Sequence, residues 1–172
     1  IGGQINTSGL NAWLGNGRYL VAEADESDGS FLLLHPDIGV FTNIDADHLD
    51  HYQNINAIET AFAQFLNQVK ETAIICGDDP RLKTLVKNLK IPYLSYGITT
   101  GQDIEAREIE FNTSTKFALY IQGKKLEDVS LSLPGKHNIL AALAALAVAK
   151  VLNIEIKTAI QHLKEFKGVA RR

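Results

Sequence analysis

Over the first hundred residues, short apolar runs alternate with stretches of helical period. Tyr19–Ala24 (YLVAEA) and Ile38–Ile44 (IGVFTNI) read as buried strands, and Ala73–Cys76 and Pro92–Tyr96 as two more. Between them, Ala57–Lys70 carries Ile58, Ala61, Phe62, Phe65, Leu66 and Val69 at helical spacing, with Asn56 as its cap. Asp79-Pro80 places a capping carboxylate before a proline and opens a helix running to about Leu89. This strand–helix–strand alternation predicts a parallel sheet with right-handed crossovers. From Gly101 the period changes to two. Asp103–Phe111, Lys116–Gln122 and Val129–Leu133 alternate apolar and polar residues, with a turn at Gly123-Lys124, predicting a small antiparallel addition. LPGKHN then leads into a helix over Asn138–Leu152, and Glu155–Phe166 is a last helix. Ile1–Gly17, rich in glycine and asparagine, reads as loops.

Composition narrows the function classes. A chain of 172 residues is one large domain or a little more. A net charge of −3 and a pI near 5.9 argue against a nucleic-acid-binding face, and no basic run marks a membrane surface. The longest apolar stretch, Ile139–Leu152, is too short to span a bilayer and predicts a buried helix. The one cysteine, Cys76, lies in TAIIC and reads as a buried, inert thiol suited to a reducing cytosol. The chain opens on Ile1 rather than methionine and closes on VARR, and both ends read as cut.

The chemistry gathers at two strand ends. Glu23, Asp25, Glu26 and Asp28 follow the apolar LVA, and Glu23 and Asp25 would share one strand face. Asp45, Asp47 and Asp50 surround His48 beyond the second strand. Acids and an imidazole at the carboxyl edge of a parallel sheet suit a hard divalent cation such as Mg²⁺ or Mn²⁺. The HLDH spacing does not read as zinc, because no cysteine partner or HExxH helix accompanies it. LPGKHN delivers Lys136, His137 and Asn138 to a helix N-terminus, where anions and nucleotides bind; alternatively, Pro134 and Gly135 only make a turn and Asn138 caps the helix. DDPR (Asp78–Arg81) is explained by capping alone, and no phosphate-binding glycine loop is present.

AEADESDGSF, VFTNIDADHLDHY, CGDDPR, LPGKHNILAALAALAVA and FKGVARR run in this order over nearly the whole chain. Together they resemble the Mur ligase family, the ATP-dependent enzymes that build the peptide of bacterial peptidoglycan. The resemblance implies an α/β central domain akin to the P-loop NTPases: a mostly parallel sheet flanked by helices, with a small antiparallel addition. Residues 1–168 would be that ATP-binding domain without its first strand, phosphate loop and helix. Residues 169–172 would be the hinge into an absent C-terminal domain. By the same resemblance, Glu23 holds the ATP-linked Mg²⁺ and His48 a second Mg²⁺, the two carrying the catalysis, and His137 and Asn138 lie against the base and ribose of ATP. Arg172 reaches toward phosphate, and Ser27 and Ser30 face the muramoyl group.

The implied reaction, in the bacterial cytoplasm, joins L-alanine to UDP-N-acetylmuramate through an acyl phosphate. The fragment alone would be inactive, and its uncovered sheet would favour self-association. Two features favour the alanine-adding branch. No lysine lies between His48 and Lys70, and Phe31–Val40 lacks the longer insertion of the tripeptide-recycling branch. Ala141 stands where relatives have a second asparagine, which weakens one adenine contact. The rival readings are a tripeptide-recycling ligase, a non-catalytic nucleotide- or metal-binding module and a metal-dependent phosphohydrolase.

Overall fold

Apolar runs flanked by amphipathic helices must bury two faces at once, and the chain meets this with one sheet between helical layers. The computed structural model describes residues 4–5 and 12–170. A two-residue strand, β1 (Gln4–Ile5), falls in the stretch expected to be loops and pairs antiparallel with β8 (Val169–Ala170) at the other end of the chain. The main sheet has six strands, ordered β2 to β7 as in the sequence. β2 (Ile38–Phe41), β3 (Thr72–Cys76) and β4 (Tyr93–Gly97) are parallel. β5 (Ile104–Phe111) joins β4 in parallel at Tyr96 and Gly97, then turns into an antiparallel meander with β6 (Thr115–Ile121) and β7 (Lys124–Leu131). The turn into β5 is held by the buried carboxylate of Glu105, which accepts from the amides of Gly101 and Gln102 and from Arg107 Nε at 2.5, 2.7 and 2.6 Å.

The helices follow their sequence signals. α1 (Leu49–Tyr52) is a single turn. α2 (Ile55–Gln68) buries Ile58, Ala61, Phe65 and Leu66, and Phe31 meets Phe65 edge-on with ring centres 5.0 Å apart. Where α2 runs out over the sheet, a Cβ on Gly39 would stand 2.6 Å from the Val69 side chain, so glycine sets how closely they pack. α3 (Pro80–Leu85) continues as a short 3₁₀ turn to Asn88. α4 (Lys136–Val151) is apolar nearly all round, and its alanines let it lie close over β3, β4 and β5 with Ile139, Leu143, Leu146 and Ala147 fully buried. α5 (Ile156–Glu165) packs on α4 and β7. Among the described residues no helix is long and apolar enough to cross a membrane.

Several expectations are corrected. Tyr19–Ala24 forms no strand, and Leu20 and Val21 are 93% and 91% exposed. A β-rich run becomes a strand only where a neighbouring edge takes its backbone groups, and among the described residues no strand pairs outside β2. α2 is capped by Asn54, whose Oδ1 accepts from the Ala57 amide at 3.0 Å, and not by Asn56. α4 starts at Lys136, so Asn138 lies inside its first turn and does not cap it. β7 starts at Lys124, directly after the turn, earlier than its alternation indicates.

Candidate functional site

The two acidic segments meet. Asp25 Oδ1 accepts from the Ser27 amide at 2.8 Å, and Asp28 Oδ1 from the Ser30 amide at 2.9 Å, so the first segment folds back through two Asx turns. Bonds from the Ser27 and Ser30 side chains, with those amides, hold the Asp25 and Asp28 carboxyls below the usual range; His48 and His51 add to the effect. Gly29, at φ 74°, lets this fold lie against α1: a Cβ there would stand 3.0 Å from His51 Nε2. Across the gap, Tyr52 Oη donates to the Glu26 carbonyl at 2.6 Å, and His48 Nε2 stands 4.0 Å from Glu26 Oε1.

His48 adopts a left-handed conformation (φ 51°) directly before α1, and its carbonyl accepts from the amides of His51 and Tyr52. Its own amide donates to Asp47 Oδ1 at 2.8 Å, and Asp45 Oδ2 accepts from Asn43 Nδ2 at 2.8 Å. Two of the three acids around the histidine therefore serve the loop itself. Glu23 lies on the exposed segment outside the sheet, three residues before the glutamate that His48 faces. The sequence places Glu26 in its acidic cluster without singling it out, and gives Tyr52 no role. The four-residue spacing of His48 and Tyr52 was the available signal, since it puts both on one side of a helical turn.

Among the described residues, no cluster of three or more His, Cys, Asp or Glu side chains forms a ready metal cage. Mg²⁺ seldom uses one. It typically takes one or two protein ligands and fills its shell with phosphate oxygens and water. One imidazole and one carboxylate on adjoining segments fit that open pattern and do not fit a closed structural site.

A second pair of acids ties the strand ends together. Asp79 Oδ1 accepts from the amides of Arg81 and Leu82 at 2.8 Å each, capping α3, while its Oδ2 accepts from the Ile44 amide at 3.1 Å. Asp78 accepts from the amides of Ile98 and Thr99 and from Thr99 Oγ1 at 2.9, 3.0 and 2.5 Å. Burial pushes the Asp78 carboxyl up, but these bonds and the charge of Lys136 outweigh it and hold the group below its ordinary range. DDPR thus caps α3 as expected, and it also fastens the chain beyond β2 and β4 to the end of β3.

In LPGKHN, Gly135 sits at φ 109°, and a Cβ there would stand 2.8 Å from the His137 ring, so the turn requires glycine. Lys136 and His137 are exposed, and Asn138 Nδ2 donates back to the Pro134 carbonyl at 2.7 Å. Beside them is an apolar cavity of about 280 Å³, lined in part by Leu131, Leu133, Asn138, Ala141, Ala145 and Phe166. Arg172 lies outside the described residues.

Residues 10–149 match the Mur ligase middle domain. The chain is 48% identical over 174 residues to UDP-N-acetylmuramate–L-alanine ligase of Lawsonia intracellularis, and 45% identical over 175 residues to that of Syntrophotalea carbinolica. Both matches cover all of this chain and 38% of the relative, so the chain spans well under half the length of the curated relatives it matches. Among solved structures, UDP-N-acetylmuramate–alanine ligase MurC of Thermotoga maritima superposes with a TM-score of 0.85 at 26% identity, over 100% of this chain and 39% of that one. The UDP-N-acetylmuramate:L-alanyl-γ-D-glutamyl-meso-diaminopimelate ligase of Neisseria meningitides gives 0.75 at 29% identity, over 87% and 48%.

Proposed function

The chain belongs to the Mur ligase family through that family's middle domain, and on that basis we propose that it is the ATP-binding core of a bacterial cytoplasmic ligase joining L-alanine to UDP-N-acetylmuramate. In this reading residues 1–168 are the core and residues 169–172 begin the hinge to a further domain. The observation that carries it is the convergence of His48 and Glu26 beyond the carboxyl end of β2, beside Asp25 and Asp28. The alanine-adding branch is favoured by likeness along the entire chain and by the lack of lysine between His48 and Lys70.

The muramate carboxylate attacks the γ-phosphorus of ATP; the bond to the β-phosphate breaks and ADP leaves. The alanine amine then attacks the acyl carbon, phosphate departs, and the amine loses a proton. A carboxylate approaching a triphosphate faces strong repulsion, so catalysis consists mainly of holding both and offsetting charge. Bound Mg²⁺ would supply that offset: Glu23 would hold the ion linked to ATP, and His48, with Glu26 beside it, would hold a second. Tyr52 fixes the Glu26 backbone, and Ser27 and Ser30, in the two Asx turns, are the residues that would meet the muramoyl group. His137 and Asn138, on the turn that Gly135 permits, meet the base and ribose, and Arg172 meets phosphate.

The test uses the full-length enzyme. ADP release is followed with ATP, Mg²⁺ and UDP-N-acetylmuramate, adding L-alanine or the L-alanyl-γ-D-glutamyl-meso-diaminopimelate tripeptide in turn. Release dependent on L-alanine is expected. Release with the tripeptide alone would move the chain to the recycling branch, and release with neither would leave a nucleotide-binding module.

A further inference from the structure

We propose that Asp79 is a positioning residue for the His48 loop, acting through the Ile44 amide; this rests on the catalytic reading of His48 given above. Its two oxygens have separate tasks. Oδ1 caps α3 through Arg81 and Leu82, while Oδ2 reaches 35 residues back to Ile44. Its own amide donates to the Cys76 carbonyl at 3.2 Å, so Asp79 is anchored to the end of β3. Ile44 is 1% exposed and stands four residues before His48. Among the described residues, the other side-chain hydrogen bonds of 42–47 are local: Thr42 to Asn43, Asn43 to Asp45, and Asp47 to the next amide. The chain leaves the sheet after β2, and this carboxylate sets the direction in which it leaves. A cap needs one acceptor oxygen, so the second is free to orient the loop.

Asp79→Asn separates the two tasks. The amide oxygen still caps α3, but the amide nitrogen then faces the Ile44 N–H, donor against donor. In the full-length enzyme, hydrogen–deuterium exchange across 42–48 is expected to quicken by about tenfold while 80–88 keeps its protection. The same variant should lose about tenfold or more in kcat with KM for ATP nearly unchanged, because a displaced group costs turnover more than ground-state binding. Asp79→Ser, which keeps a capping oxygen without the opposing donor, should repeat the pattern and serves if the asparagine variant does not fold. Unchanged exchange at 42–48, or faster exchange at full kcat, would overturn the proposal. Loss of α3 protection together with the loop in both variants would reduce Asp79 to a cap and overturn it equally. If the unsubstituted enzyme releases no ADP under any condition, the catalytic reading fails instead, and the exchange result alone judges the tie.

Discussion

Tyr52 Oη donates to the backbone carbonyl of Glu26 at 2.6 Å, closing a span of 26 residues between two acidic segments. His48 lies one helical turn before that tyrosine and faces the same glutamate's carboxylate. One residue of α1 thus grips the glutamate's main chain, and the residue before α1 meets its side chain. Burial pushes the Tyr52 phenol up and the charge of Glu26 adds to this, so the group stays protonated and donating throughout the neutral range.

Tyr52→Phe removes this donor and little else. Tyr52 is 8% exposed, so the loss should cost about 1 kcal/mol and lower Tm by a few degrees. Turnover in the full-length enzyme should fall with nucleotide KM unchanged. A thermal melt and steady-state kinetics check this, and an unaltered kcat would show that the hydrogen bond does not shape the site.

His48→Ala should lower kcat by about 100-fold, with a much smaller effect on ATP affinity measured by calorimetry. The role assigned to His48 concerns the transferring phosphoryl group and not nucleotide binding. Equal losses in both quantities would contradict that role.

Asp78→Asn should destabilise the fold at neutral pH by about 1–3 kcal/mol, since a carboxylate accepting three bonds loses its charge. The folded-state pKa of Asp78 is depressed below its ordinary 3.8. Its stabilisation is therefore complete above that value and is lost as pH falls through the folded pKa. The stability gap between parent and variant should hold near pH 7 and narrow in acid, as the pH falls below 3.8 and through the folded pKa. Urea titrations at pH 7 and through the acid range measure it, and a gap that widens in acid would refute the assignment.

Ala141→Asn should be tolerated, because Ala141 is exposed on α4 and lines the apolar cavity. The helix should lose about 0.5 kcal/mol, and the added amide should tighten ATP binding in the full-length enzyme. Calorimetry with a melt decides the point: a collapsed melt would mean that the site is packed core.

The isolated 172-residue chain should self-associate, because Leu20 and Val21 are almost wholly exposed and β2 is an outer strand of the sheet. Replacing both with lysine should shift sedimentation toward monomer. A monomeric parent at about 100 μM would rule this out.

The local pattern alone determined much of this protein. The helical period of Ala57–Lys70 and the proline after Asp79 located α2 and α3 to within a few residues. The change to alternation after Gly101 marked where the parallel sheet gives way to the meander. The order of the acidic and LPGKHN segments pointed to the family. Only the tertiary structure decided that Tyr19–Ala24 is no strand, that His48 faces Glu26, and that one oxygen of Asp79 belongs to Ile44. Periodicity records which side chains share a face, a property of neighbours along the chain. A strand's partner, a carboxylate's second acceptor contact and the glutamate that meets a histidine are set by residues brought together across the sheet, and no spacing along the chain encodes them.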